Sequence, residues 1–299
     1  MLLRHLTLCV LSLAVACPAQ AITIYRFTDA NGVASFTDHP VAGAQVMKLR
    51  ERMVERIDRQ VRLTTRRDKG VDSLYVRNDL YAPVEVELKL SGVRNVLGVA
   101  DQTLRRTIPA RSSERVVVLS PKVASQAISY KTSLRSIVGD PQFAAQSYKY
   151  PFPWVGGPFR VSQGPNGTYS HFGAKGRYAI DIAMPEGTPI IAARSGTVVK
   201  VENDQSGRGN NPSGNFVRIL HGDGTMGVYL HLMQGSVVVK EGQQVATGTP
   251  LGRSGNTGNS TGPHLHFAVQ RNVGLALESI PYEFVQPIQS LPNFAIGGN

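Results

Sequence analysis

His171, His221, His231, His264 and His266 crowd into the second half of a 299-residue chain, whereas no histidine lies between His39 and His171. The densest pair is His264-Leu265-His266. On a strand, residues two apart project to one face, so both imidazoles can reach a single point. The bland alternative is that the two rings straddle a sheet edge and only hydrogen-bond. A catalytic zinc site needs three protein ligands and an open position, and nitrogen and carboxylate oxygen are the remaining donors where thiols are absent. His171, Asp181 and one ring of the His264/His266 pair meet that count. Two further histidines would then be left to handle protons, a division of labour that peptide hydrolysis requires.

Other polar residues in this half read differently. Val228 to Leu232 has strand character, which predicts Tyr229 and His231 on a common face. His221 sits in LHGDG, where an aspartate and two glycines spell a tight turn, and it is read as structural. Glu186 lies in another turn, PEGTP, and Glu202 begins the loop ENDQSGRGNNPSGN, whose glycines and polar residues would wall a groove. Neither glutamate is expected to ligate.

The elements that must position these residues are strands. The chain is 41% hydrophobic and 18% charged, within the globular range and outside the disordered or fibrous ones. Between residues 74 and 150 the runs VEVELKL, RVVVL and ISYKTSL alternate or cluster β-branched residues between Pro, Gly and Ser, which predicts a small β-sandwich with no titratable cluster. YPFPWVGGPFR, with three prolines and two adjacent glycines, marks a boundary. Near the start, IYRFTDANGVASFTD places Asn31-Gly32 between two β-rich runs, a hairpin signal because both residues accept positive φ. The predicted organisation is a signal peptide over 1–21, a small hairpin module over 22–46 and a charged connector over 47–73. A β-sandwich-like domain over 74–150, a Pro/Gly linker over 151–160, a β-rich site-bearing domain over 161–290 and a tail over 291–299 follow.

Residues 1–21 have a basic start, an apolar stretch and an Ala-x-Ala end, the pattern of a segment removed on export. The apolar stretch falls short of the ~20 residues a membrane-crossing helix needs, so no integral segment is expected after cleavage. Cys9 and Cys17 both lie in this piece, which would leave the mature chain without thiols; Cys17 as a lipid acceptor is the lesser alternative. The formal charge is +11, with +8 on residues 22–150 and +2 on residues 151–299. No nucleic-acid recognition motif accompanies the basic residues, so they fit an anionic envelope better than nucleic acid.

Residues 171–272 resemble the peptidase family M23, the lysostaphin or LytM type of zinc metallopeptidase. The resemblance is carried by DIAMPEGTPIIAARSGTVV, GNFVRILHGDGTMGVYLHL, VKEGQQVATGTPLGRSGNTGNSTG and PHLHFAVQ, in the family's order. It implies a β-rich domain with a zinc groove, one Zn2+ per chain, and endopeptidase action on peptidoglycan peptides in the periplasm or outside the cell. It also implies His171, Asp181 and His266 as metal ligands and His231 and His264 as the catalytic pair. One departure stands out. The family's His-x-Gly-x-Asp spacing would put histidine at position 177, which is Arg177, while His171 is ten residues before Asp181. Either AKGRYA is an insertion in a longer hairpin, or the first ligand is lost. A noncatalytic relative that binds a wall amidase or peptidoglycan is the alternative function. The IYRFTDANGVASFTD piece resembles a small domain of unknown function (DUF4124-like) of secreted bacterial proteins, and as such implies no chemistry.

Overall fold

The computed structural model describes residues 23–28, 34–37, 42–43, 45–48, 59–208 and 211–291. Residues 1–21 with Cys9 and Cys17, expected as a signal peptide, the Asn31-Gly32 turn and residues 292–299 of the tail lie outside the described residues. Among those described, the elements are strands apart from short 3-10 turns, so the chain is mainly β. Two units separate at Arg52. In the first, Thr23–Thr28 pairs antiparallel with Ala34–Thr37 and Gln45–Lys48.

The second unit begins with two three-stranded antiparallel sheets. One orders Val61–Asp68, Val71–Asn78 and Ser112–Leu119, and the other Gln102–Ile108, Val84–Arg94 and Ser129–Val138. The alternation read from VEVELKL is realised. Val84, Val86, Leu88 and Leu90 are buried between the sheets, against Leu74 and Val76 from the facing one.

Two predicted borders move. Residues 61–73 were expected to finish a charged connector, but they form a strand and the start of its hairpin partner. Val61–Asp68 is an edge strand whose residues are mostly exposed, so its Arg and Thr hide the period-two signal. The Pro/Gly stretch is no free linker either. Trp154 is buried, stacks on Phe152 and bridges to Ile190, while Tyr150 joins the core of the following sheet. Pro and Gly interrupt a ladder, but they do not stop the aromatic residues between them from packing.

That following sheet has eight antiparallel strands in the order Arg160–Gln163, Ile180–Ala183, His264–Asn272, Met226–Leu232, Asn215–Leu220, Gly196–Glu202 and Gln244–Val245, with Leu277–Ser279 on the His264–Asn272 strand. Its core is built from Ile182, Val198, Val217, Ile219, Tyr229, Leu265 and Phe267. Tyr229 and Phe267 are register partners with rings 5.1 Å apart.

The sandwich seats on the far ends of these strands. Its core takes in Val199, Met226 and Leu277, and Asn272 donates to the Gly139 carbonyl at 3.0 Å. The Glu85 carboxylate accepts the Leu275 N–H at 2.5 Å, and Arg135 donates to the Leu275 carbonyl at 2.7 Å. Met226 and Asn272 lie at the opposite ends of their strands from His231 and from His264 and His266. Residues 59–138 therefore pack at the end of the sheet opposite His231, His264 and His266. Glu85 and Leu275 are both buried, so a Glu85→Ala variant should leave an N–H without a partner at a cost of about 1–3 kcal/mol. Calorimetry of that variant should show the melting temperature falling by several degrees; an unchanged melt would mean that this contact does not tie the sandwich down.

Candidate metal centre

Asp181 and His266 face each other in register on neighbouring strands, and His264 pairs with Ala183 one step along the same face. His266 Nδ1 lies 2.8 Å from Asp181 Oδ1, and His264 Nε2 lies 3.8 Å from the same oxygen. The two rings of His264-Leu265-His266 thus converge as their spacing predicts, while Leu265 between them points into the core.

His171 reaches this point from a run of turns. His171 N bonds the Gly167 carbonyl, and the Arg177 and Ala179 N–H groups bond the carbonyls of Gly173 and Gly176. Ser279 and Gln270 hold the same segment from outside, through the carbonyls of Ala174 and Lys175. The result is a fully buried imidazole whose Nε2 is 3.2 Å from Asp181 Oδ1 and 3.3 Å from His266 Nδ1. Arg177, at the position where the common spacing would put a ligand, is exposed.

These three donor atoms form a triangle with edges of 2.8, 3.2 and 3.3 Å. Neighbouring ligands of a tetrahedral zinc with bonds of about 2.0–2.1 Å are about 3.4 Å apart. His171, Asp181 and His266 are accordingly a group able to hold a metal ion, and all three are buried. The His171 Nδ1–H donates to the Gly164 carbonyl at 2.9 Å, which leaves Nε2 as the lone pair facing the triangle. Burial alone would raise the Asp181 pKa, but its close contacts with the His171 and His266 imidazoles hold it well below the usual carboxylate range. Burial, opposed by Asp181, lowers the His266 pKa.

His231 arrives by a route that the sequence misread. Strict alternation would put it on the Tyr229 face, in the core. Instead its φ is +64°, and its ring turns to lie 4.7 Å from that of His264 and 5.9 Å from that of His266. Left-handed backbone at a non-glycine residue costs about 1–3 kcal/mol and persists where surrounding structure enforces it. Here the enforcement is visible. His231 N bonds the Ser213 carbonyl, and the His231 Nδ1–H donates to the Thr257 carbonyl at 2.7 Å. Thr257 is held in turn by its own hydroxyl on the Leu232 carbonyl and by Asn215 N. Gly214 and Gly258 let these loops touch, since a Cβ on Gly214 would fall 2.4 Å from the Thr257 carbonyl oxygen.

His264 Nδ1 likewise lies 2.8 Å from the Gly262 carbonyl and 3.1 Å from Ser260 Oγ. A carbonyl only accepts, so both His231 and His264 carry their proton on Nδ1 and offer Nε2 as an acceptor. Burial, with the charges of His264 and His266, pushes the His231 pKa down to about 3, so it is neutral at any ordinary pH. His221 is elsewhere, in the turn before Met226, with Nδ1 on the Ser195 carbonyl at 2.8 Å. Glu186 is exposed in its turn, and Glu202 accepts from the N–H groups of Asn203 and Asp204. Gln163, Thr257 and Ser260 belong to the site and escaped the sequence reading, because neutral hydrogen-bonding residues carry no spacing signal.

Residues 175–277 match the sequence profile of Peptidase family M23. That segment is similar to the M23 peptidases. Residues 11–54 match a domain of unknown function, DUF4124. The peptidoglycan DD-endopeptidase ShyA of Vibrio cholerae is 39% identical over 117 residues, 38% of this chain and 25% of that protein. Lysostaphin of Staphylococcus staphylolyticus is 40% identical over 91 residues, 30% of this chain and 18% of that one. The match thus spans a quarter or less of these relatives. A solved structure of lysostaphin from Staphylococcus simulans aligns with 42% of this chain and 48% of its own at 33% identity, with a TM-score of 0.33. The M23 match begins after His171, so the place of that residue rests on geometry.

Proposed function

We propose that this protein is a zinc-dependent endopeptidase that hydrolyses peptide bonds in peptidoglycan, with His171, Asp181 and His266 as the metal ligands. The observation that carries the reading is the buried donor triangle, whose edges suit a tetrahedral ion, with two more imidazoles beside it. When bound, zinc supplies Lewis acidity to a scissile carbonyl and brings the pKa of water toward neutrality.

The chain's own groups do the rest. His264 and His231 present Nε2 lone pairs at the edge of the triangle, where one ring accepts a proton from water. The ring that takes it becomes a donor, able to hydrogen-bond the developing oxyanion or to protonate the leaving amine. Asp181 neutralises part of the charge gathered there. The domain read over residues 161–290, with Tyr150 and Trp154 joining its core, meets the sandwich at the Met226 and Asn272 end of its strands, away from His231, His264 and His266. Export by residues 1–21 would bring the protein to the wall, in the periplasm or outside the cell. The names of the endopeptidase relatives support the substrate, and among the described residues no helix is long and apolar enough to cross a membrane.

Purified mature protein should open peptide cross-links in isolated sacculi, and a chelator should stop it. Glycan strands released with intact peptides, or no products at all from zinc-loaded protein, would overturn the endopeptidase and favour a noncatalytic regulator of a wall amidase.

A further inference from the structure

We propose that Gln163 is a positioning residue of this centre, holding the Asp181 carboxylate and the turn that carries His171 in one frame. The inference rests on the metal reading above. Gln163 ends the Arg160–Gln163 strand and is the register partner of Asp181. Its Nε2 donates to Asp181 Oδ2 at 2.9 Å and to Ser170 Oγ at 2.7 Å. Its Oε1 accepts the N–H groups of Tyr169 at 3.1 Å and Ser170 at 3.2 Å. A primary amide has two N–H donors and two acceptor sites, so all four are committed. The partners also decide which way the amide faces, because backbone N–H groups need its oxygen and the carboxylate needs its nitrogen.

Two consequences bear on the triangle. With Oδ2 of Asp181 taken by Gln163, Oδ1 is the oxygen turned to His171 and His266. The two N–H groups held by Oε1 belong to the residues just before His171, so the same side chain sets where that imidazole begins. Nine residues lie between His171 and Asp181, too long a connection to fix their distance covalently. Room for this arrangement is reserved at Gly167, where a Cβ would meet Gln163 Cγ at 2.3 Å. Hydrogen-bonding partners of metal ligands typically carry about 10–100-fold in metal affinity or activity.

The test uses the full mature chain and two substitutions. Gln163→Met is close in length and removes every polar contact. Gln163→Glu keeps acceptors for Tyr169 and Ser170 but sets an anion against Asp181. Zinc affinity is measured by competition with a chromophoric chelator, and cobalt is substituted so that its visible spectrum reports coordination geometry. Both variants should bind zinc about 10–100-fold more weakly, with an altered cobalt spectrum and a circular dichroism spectrum that keeps the parent's β signature. Wild-type zinc binding that survives both substitutions within about threefold, with an unchanged cobalt spectrum, overturns the role of Gln163 alone. No zinc binding by the wild type overturns the metal reading and this inference together.

Discussion

A His171→Ala variant is expected to lose its zinc, and this is the largest effect foreseen for any single substitution here. Three protein donors are the usual complement of a catalytic zinc. Two remain in the variant, Asp181 Oδ1 and His266 Nδ1, and 2.8 Å between them is a hydrogen-bond separation that a proton can fill without metal. Arg177 offers no replacement, since it is exposed and carries no lone pair for a cation. Losing a partner outside the ligand shell already costs about 10–100-fold, so losing a ligand should exceed 10²-fold in affinity. The check is zinc content per chain after dialysis, together with chelator competition. Activity on sacculi should vanish in parallel. If the variant keeps full zinc occupancy, His171 is not a ligand and the turn segment has another purpose.

His231→Ala and His264→Ala should fail in a different way. Neither ring is in the donor triangle, so both variants should keep zinc while losing on the order of 10²–10⁴-fold in rate, the scale for a positioned acid or base. The anchoring of the two rings is what makes the expectation specific. Each proton is held by a backbone carbonyl, Thr257 for one and Gly262 for the other, so both Nε2 atoms are free to accept. Alanine at 231 should also relieve little backbone strain, because the Ser213 contact still enforces the left-handed turn. His221→Ala is the internal control. That ring is buried beside Ser195, and its loss should lower stability but barely change the rate. Metal content, circular dichroism and turnover measured together on all three variants separate the cases. A silent His231→Ala beside an inactive His221→Ala would put the catalytic histidine on the wrong end of the strand and reopen the assignment of the 264/266 pair.

Much of the fold and part of the site are legible in the sequence. Strand alternation is a local property, set by which face of a pleat meets water. VEVELKL therefore announced its own burial, and His264-Leu265-His266 announced that two imidazoles would share a face. The edge strand Val61–Asp68 shows the limit of the same signal, since a strand with little buried surface has no alternation to display.

The sequence by itself determined a mainly β chain and a set of nitrogen and oxygen donors suited to a metal. Tertiary structure decided which donors meet. His171 becomes a neighbour of His266 through turns held by Gln163, on the strand just before them, and by Gln270 and Ser279, side chains drawn from strands far away along the chain. His231 joins the site only because its backbone departs from the strand conformation its sequence favours, under restraint from Ser213 and Thr257. Both outcomes depend on hydrogen bonds between groups remote in sequence, and a one-dimensional pattern of residue types does not encode such pairings.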